Sequence, residues 1–380
     1  NYRFNINMLP RQSGKALSLD TPIPTPSGWT TMGDIQVGDT ILSNTGVPTT
    51  VTFATEVMNN HACYEVEFDN GETIIADAEH LWKVNTSNWS NKSKILTTEE
   101  IKKYKDTHSL DQGFYIDITE PVQYEYKSLP IHPYILGLWI GDGYSGDGRY
   151  VQSTIDNIEM VQYISETGYK VTEPSINSTN SERRNIVGLR TLLNKNNLLK
   201  NKHIPSDYMF SSIEQRLELL RGLMDTDGSC TKKGNCEFYQ KNFELIDQVR
   251  TILSSLGIKS RCSCKIINGV NYYTLKFSTT KYIVFKLKRK VERQLLCKGH
   301  VKNTRIYITK LTKTNSVPVR CIQVDNDEHM FLCGKTMIPT HNTTCASAYL
   351  LWYAMFHPDQ TILVAAHKFT GAQEIMQRIR

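Results

Sequence analysis

Hydrophobic and polar positions change rhythm along this chain. From Ala16 to about Tyr126, apolar residues alternate with polar ones in short runs: "TPIPTPSGWTTMGDIQVGDTIL", "VPTTVTFATEV", "HACYEVEFDNGETIIADAEHLWKV". Pro, Gly, Asn and Asp punctuate them, the pattern of short half-buried strands joined by tight turns. Residues 315–342 return to that style. Between them, over about 128–312, the pattern is mixed α and β and contains a repeat: "ILGLWIGDG" (Ile135–Gly143) recurs as "LRGLMDTDG" (Leu220–Gly228). Both copies are apolar, helical and end Asp-Gly, which predicts a pseudo-twofold domain. After Asn342, "TTCASAYLLWYAMF" reads as an apolar helix and "TILVAAHK" as a short buried strand.

The two ends belong together. "RQSGK" (Arg11–Lys15) is the start of a phosphate-binding loop, but Ala16 stands where such a loop needs a hydroxyl to ligate magnesium. Removing residues 16–342 joins the flanks as "PRQSGKTTCASAYLLWYAMF" and restores the pair Lys15-Thr343. The middle is therefore an insertion between two residues that contact phosphate and metal.

Composition narrows the class. A chain of 380 residues with 39% hydrophobic residues suits two or three globular domains. No apolar run approaches a membrane span and the start lacks the apolar core of a secretion signal, so no membrane partner and a cytoplasmic setting are expected. Nine cysteines, an odd number without repeated CxxC spacing, argue against a disulfide framework or a tetrahedral zinc site. Net charge is +6, yet Lys281–Lys313 holds eleven Lys/Arg against one acid. That local field, with tyrosines in it, fits a phosphate backbone; the plainer reading is a solvated helix face.

Four stretches, "ALSLDTPIPTPSGWTTMGDIQVGD", "GETIIADAEHLW", "VRCIQVDNDEHMFLCG" and "MIPTHN", resemble in order the four splicing blocks of an intein. The repeat resembles the paired motifs of a LAGLIDADG homing endonuclease, between the second and third blocks. Together they cover residues 16–342. The resemblance implies a mostly β Hint (horseshoe) splicing domain with an inserted α+β LAGLIDADG domain of two pseudo-symmetric αββαββ-type repeats. The implied division is 1–15 host fragment, 16–127 splicing domain, 128–312 endonuclease, 313–342 splicing domain resumed, and 343–380 host fragment.

At the C-terminal junction the Asn342 amide can attack its own carbonyl and break the following peptide bond, with His341 beside it and His329 as a further acid–base. At the N-terminal junction Ala16 offers no nucleophile, so another must attack the Lys15 carbonyl. Cys321 is the candidate, since thiolate is the strongest side-chain nucleophile near neutral pH. Trp82, Cys321 and Thr340 form a Trp-Cys-Thr triplet resembling that of class 3 inteins, which are followed by Ser or Thr, as Thr343 is here. The implied route runs from thioester on Cys321 to ester on Thr343, then Asn342 cyclisation. His80 is expected to donate a proton to the departing Ala16 nitrogen. The host segments act in cis and splicing needs no cofactor. Where a common second-block pattern has Thr, this chain has Asp77, with no role read for it. An alternative is that Ala16 replaces Cys in a trapped precursor of an ordinary class 1 intein. Cys63 and Cys333 read as buried small residues.

In the repeat, Asp142 and Asp227 close two helices, where a carboxylate meets the negative end of the dipole. A shared Mg²⁺ would offset that and serve phosphodiester cleavage of double-stranded DNA, the intein-less host gene site. The competing reading is an Asp-Gly helix stop with Gly143 and Gly228 as caps. Gly137/Gly141 and Gly222/Thr226 would let the helices approach closely. Lys202 matches a basic residue between the family's motifs, and Lys276 is a second guess. Asp225 has Ile140 as its counterpart. Both repeats lie in one chain, so a monomer is expected. The flanks, with Arg11 and "ILVAAHK", resemble a phage terminase large subunit. Two rivals remain: a plain ATPase with a loop insertion, and a splicing scaffold paired with an inactive nuclease or itself inert.

Overall fold

The computed structural model describes residues 15–86, 92–107, 113–176 and 181–342. The rest of the phosphate loop, Thr343 and the downstream host segment lie outside the described residues.

Two hydrophobic cores form. The first belongs to strands from both ends of the insertion. One sheet runs, in spatial order, Tyr115–Asp117, Arg305–Thr314, Cys63–Phe68, Thr73–Asp77, Leu17–Ser18 and Val319–Arg320. Segments more than 180 residues apart are thus hydrogen-bonded neighbours: Tyr115 pairs with Tyr307 and Val66 with Leu311. Alternation sets the faces. Leu17, Val66, Ile74 and Ala76 point into the core with Trp82, Phe114 and Phe331. A second sheet, Met330–Cys333, Ile338–His341, Leu81–Val84 and Lys94–Thr97, carries the residues before Asn342.

The second core lies within residues 131–287. The described helices of the chain are α1 (Thr98–Thr107), α2 (Pro133–Asp142), α3 (Thr154–Glu166), α4 (Leu189–Lys195), α5 (Ser206–Met209), α6 (Ile213–Thr226), α7 (Phe243–Ser255) and α8 (Lys288–Gln294). Helix α2 starts on Pro133 with His132 as cap and is apolar all round, as a fully buried helix must be. Helix α6 starts with a capping box, Ser212 with Gln215. These are the two motif helices, and they cross at glycine. A Cβ on Gly137 would sit 2.3 Å from the Leu219 carbonyl oxygen, and one on Gly222 2.3 Å from that of Tyr134. The backbones touch, so both helix ends converge.

The second repeat runs α6, Gly228–Cys230, Cys236–Gln240, α7, Ser260–Ile267, Val270–Phe277, α8. The first runs α2, Arg149–Ser153, α3, Ser175–Ile176, Ser181–Asn185, α4. Its first strand is reduced to one bridge, Gly143 with Tyr150, matching Gly228 with Phe238 in the other copy. The Asp-Gly pairs are not left-handed helix stops: Gly143 has φ −73°. A Cβ there would strike the Trp139 carbonyl oxygen at 2.3 Å, and one on Gly228 that of Met224 at 2.5 Å.

Buried Arg216 pins the crossing between the cores. It donates to the carbonyl oxygens of Ser211, Val122 and Ser255 and stacks 4.8 Å from the Tyr124 ring centre, and burial lowers its pKa to about 10.

Gly222→Ala is expected to destabilise the protein by at least about 1–3 kcal/mol through overpacking. Denaturant unfolding would show this as a lower midpoint, and the same change at half-buried Gly28, with no atom within 4 Å of its Cβ position, should have little effect.

Candidate splice junctions and nuclease centre

Register brings the N-terminal junction together. Leu17 lies between Ala76 and Arg320, and Cys63 pairs with Asp77. One residue along, the row across four strands reads Cys63, Asp77, Ala16, Cys321, with neighbouring strands about 4.8 Å apart. The Asp77 N–H donates to the Ala16 carbonyl at 2.9 Å. Ala16, Cys63 and Val319 form a small buried cluster against which Cys321 packs. Cys321 is held in place at its backbone, its N–H on Thr55 Oγ1 at 3.1 Å and its carbonyl accepting from the Thr55 N–H. Lys15, on the acyl side of the bond to be broken, has φ +81°, a left-handed conformation costly for a residue with a side chain.

His80 is aimed at this bond, but not at its nitrogen. Its Nδ1 lies 2.9 Å from the Lys15 carbonyl oxygen and its Nε2 2.6 Å from Thr340 Oγ1. A carbonyl oxygen only accepts, so Nδ1 carries the hydrogen and Nε2 accepts from the Thr340 hydroxyl. Burial lowers the His80 pKa to about 4, against a smaller opposing effect of the Lys15 hydrogen bond. The ring is neutral near pH 7, with its tautomer set by Thr340. The role expected of His80 is acid at the Ala16 nitrogen; in the structure its Nδ1–H is directed at the Lys15 carbonyl oxygen. Trp82 fixes the ring from the side, edge-on at 4.8 Å between centroids, and is itself tied through Nε1–H to Thr98 Oγ1 at 3.0 Å. Within the triplet, Trp82 and Thr340 position His80, and Cys321 stands across Ala16.

At the other junction, Thr340, His341 and Asn342 are buried at the end of the Ile338–His341 strand. The Asn342 backbone N–H donates to the His329 carbonyl at 2.8 Å. With its carboxamide oriented to satisfy both ends, Nδ2 donates to that same carbonyl at 3.0 Å and Oδ1 accepts from the Val324 N–H at 2.7 Å. The nitrogen that must attack is thus engaged, and cyclisation requires it to turn. The rings of His329 and His341 stand 6.5 Å apart. Cys63 and Cys333 are buried.

The nuclease centre is pseudo-symmetric. Asp142 accepts from Gln152 and Asp227 from Gln240, each at 2.5 Å. Burial and then the Asp227 charge raise the Asp142 pKa to about 6; burial also raises that of Asp227. Lys202 Nζ donates to the carbonyls of Ile140, Gly141 and Gly143, and Lys290 Nζ to those of Met224, Asp225 and Gly228. Each lysine closes the end of one motif helix. The guess of Lys276 is overturned: it is exposed on the sheet and pairs with Glu237, while Lys290 occupies the place, buried, with its pKa lowered to about 8 by desolvation. Asp225 is structural, accepting from the Tyr134 hydroxyl and the backbone N–H groups of Lys286 and Leu287. Two desolvated carboxylates, one of them raised further by the other's charge, suit a divalent cation, although no group of three or more His, Cys, Asp or Glu is arranged around one point among the described residues.

Sequence reasoning missed Gln152, Gln240, Lys290 and His61. Repeat spacing carried some signal: Lys202 follows Gly143 by 59 residues and Lys290 follows Gly228 by 62. His61, whose Nδ1 lies 2.5 Å from Asp77 Oδ2, had none.

Residues 214–290 match the family described as LAGLIDADG-like domain. That stretch is a LAGLIDADG-like domain, and it begins in α6 and ends in α8, spanning the second repeat. The chain is 34% identical over 393 residues to a replicative DNA helicase DnaB of Mycobacterium intracellulare, covering 96% of this chain and 65% of that protein. It is 59% identical over 69 residues to the DnaB of Mycobacterium leprae (strain TN), covering 18% of this chain and 11% of that one. Solved structures with similarity include the Msm DnaB1 intein splicing domain bound with zinc (20% identity, 86% of this chain and 100% of that one, TM-score 0.31). Another is I-DmoI in complex with DNA and Ca (19%, 43% and 95%, TM-score 0.32). The expected terminase and phage host is thereby corrected to helicase relatives: a phosphate loop and one strand are common to many P-loop ATPases and could not tell them apart. No described helix is long and apolar enough to cross a membrane.

A histidine held at about 4 in the folded state and 6.5 in the unfolded state binds its proton only on unfolding between those values. The stability tied to His80 neutrality is present above pH 6.5 and is lost as pH falls toward 4, on the order of 2 kcal/mol by about pH 5. Denaturant unfolding of the parent and of His80→Gln at both pH values should show the variant losing less on acidification.

Proposed function

We propose that this chain splices itself, excising residues 16–342 and joining Lys15 to Thr343, with Cys321 as the initiating nucleophile. The observation that carries this reading is the neutral, tautomer-fixed His80 donating to the Lys15 carbonyl oxygen, with Cys321 beside Ala16 in the sheet. Sulfur attacks the strained Lys15 carbonyl; His80 Nδ1–H stabilises the oxyanion, an effect of about 10²–10³-fold for such a donor. The C–N bond breaks and the upstream segment becomes a thioester on Cys321. The Thr343 hydroxyl takes it over as an ester. Asn342 rotates its amide from the His329 carbonyl and cyclises, with His341 and His329 beside it, and the ester rearranges to an amide. The junctions need no cofactor.

The nuclease runs from about 128 to 304, between splicing segments 16–127 and 305–342: the boundary expected at 312 falls inside the strand Arg305–Thr314, which pairs with Cys63–Phe68 in the splicing sheet. Its substrate is double-stranded DNA at the uninterrupted host site. Asp142 and Asp227 would hold Mg²⁺, which when bound supplies Lewis-acid activation of phosphate and water. Lys202 and Lys290 hold the helix ends that aim these acids. The pair of acids is complete in one chain, so a monomer suffices. The host is a DnaB-type helicase interrupted in its phosphate loop, acting in the cytoplasm.

Cys321→Ala should leave a single chain of 380 residues on a denaturing gel, where the parent yields pieces of 327 and 53. If Cys321→Ala still ligates its flanks, or if only Ala16→Cys restores splicing, the initiating role is wrong. Asp142→Asn or Asp227→Asn should end cleavage of a plasmid carrying the joined host sequence while splicing continues at the parental rate.

A further inference from the structure

The geometry of His80 leaves one proton of the first step without a carrier. Its Nδ1 hydrogen lies on the Lys15 oxygen and its Nε2 accepts from Thr340. Yet the Cys321 thiol must lose a proton as sulfur attacks, and the Ala16 nitrogen must gain one as it departs. Two of the four residues in the row flank Ala16: Cys321 on one side and Asp77 on the other.

Asp77 is tied to the junction by its backbone, which donates to the Ala16 carbonyl, and it carries an imidazole on its side chain. The carboxylate is buried, with Oδ1 accepting from the Glu79 N–H at 2.7 Å and Oδ2 lying 2.5 Å from His61 Nδ1. Strand alternation turns Cys63, Asp77, Ala16 and Cys321 to one face of the sheet. The apolar cluster of Ala16, Cys63 and Val319, with Ile75 and Cys321 against it, marks that face. Leu17, Val66, Ile74 and Ala76 mark the other. The His61 ring, on Asp77 Oδ2, shares the face of the thiol. In the row of strands, Ala16 is the residue between Asp77 and Cys321. The His61 side chain is 26% exposed, so it exchanges protons with solvent.

We propose that His61, held by Asp77, is the proton shuttle of the N-terminal junction. As the C–S bond forms, the thiol proton passes to the imidazole, and Asp77 stabilises the imidazolium. As the Lys15–Ala16 C–N bond breaks, the same proton passes to the Ala16 nitrogen, which leaves as a neutral amine. No proton is consumed, and His80 keeps its own throughout. The proposal rests on Cys321 as nucleophile.

The test uses the full chain carrying Asn342→Ala, so that C-terminal cleavage is blocked, and follows release of the upstream segment at Lys15–Ala16 by dithiothreitol on a denaturing gel. His61→Gln keeps a donor for Asp77 but carries no proton, and should slow release by about 10²-fold or more. His61→Ala should slow it likewise, and added imidazole should restore it. Melting at the parental temperature confirms that each variant is folded. Release by His61→Gln at the parental rate, or a folded His61→Ala that imidazole does not restore, overturns the shuttle while leaving Cys321 in place. Release that persists in Cys321→Ala overturns the nucleophile and the shuttle together.

Discussion

A carbonyl oxygen cannot donate a hydrogen bond, and the N-terminal junction depends on that constraint. The Lys15 oxygen facing His80 Nδ1 forces the hydrogen onto that nitrogen. The remaining nitrogen must then find a donor, and the Thr340 hydroxyl supplies it from a strand 260 residues away. Burial keeps the ring neutral near pH 7, so it holds no imidazolium proton and presents a fixed N–H dipole to the Lys15 oxygen. Trp82 provides the wall that makes the ring dry. The triplet is thus one histidine with two supports, and a thiol placed by register on the far side of Ala16.

Register also explains how a domain of this size is tolerated inside another. The strand Tyr115–Asp117 before the insertion and Arg305–Thr314 after it are hydrogen-bonded neighbours, so the insertion enters and leaves at one place. Beyond that joint the domains meet at buried Arg216 and at an apolar cluster of Leu42, Val122, Tyr124, Phe210, Leu332 and Met337, with polar ties around them. Arg250 donates to the Asn70 carbonyl, Lys259 pairs with Asp69 and Lys335 with Asp247. Lys335 lies in the turn of the hairpin whose second strand ends in His341. These ties are partly exposed, of a kind worth little individually.

How far the sequence was legible follows from what each feature depends on. Features that are local could be read directly: each motif acid closes its own helix. The two-core architecture was legible because alternation and helical runs are local patterns. The crossing at Gly137 and Gly222 was legible because small residues at helical spacing have one main use. What depended on pairing between distant strands was not. Nothing in the string of letters sets Asp77 and Cys321 on either side of Ala16, or His61 on Asp77. The partners of the His80 ring were not legible either, because either nitrogen of an imidazole can donate or accept and only the fold decides which does. Lys276 looked plausible by its place in a strand; Lys290 replaced it because the lysine must reach the carbonyls at the end of α6, which a residue starting a separate helix can do.

The two centres solve the problem of polar groups in a protein interior in opposite ways. At the splice junction charge is removed. His80 is neutral, its two nitrogens are satisfied, and the carbonyl it faces is part of the chain itself. At the nuclease centre charge is retained. Asp142 and Asp227 are held near each other by helices that cannot separate, their pKa values rise, and Lys202 and Lys290 spend their hydrogen bonds on helix-end carbonyls rather than on the acids. The centre's pseudo-symmetry is in the chemistry, acid with glutamine and lysine in each half, whereas the supports differ: Asp225 ties down the segment before α8, and Ile140 opposite it only packs. Equal reacting groups on unequal scaffolds can treat two strands of one duplex alike while reading a different sequence in each half.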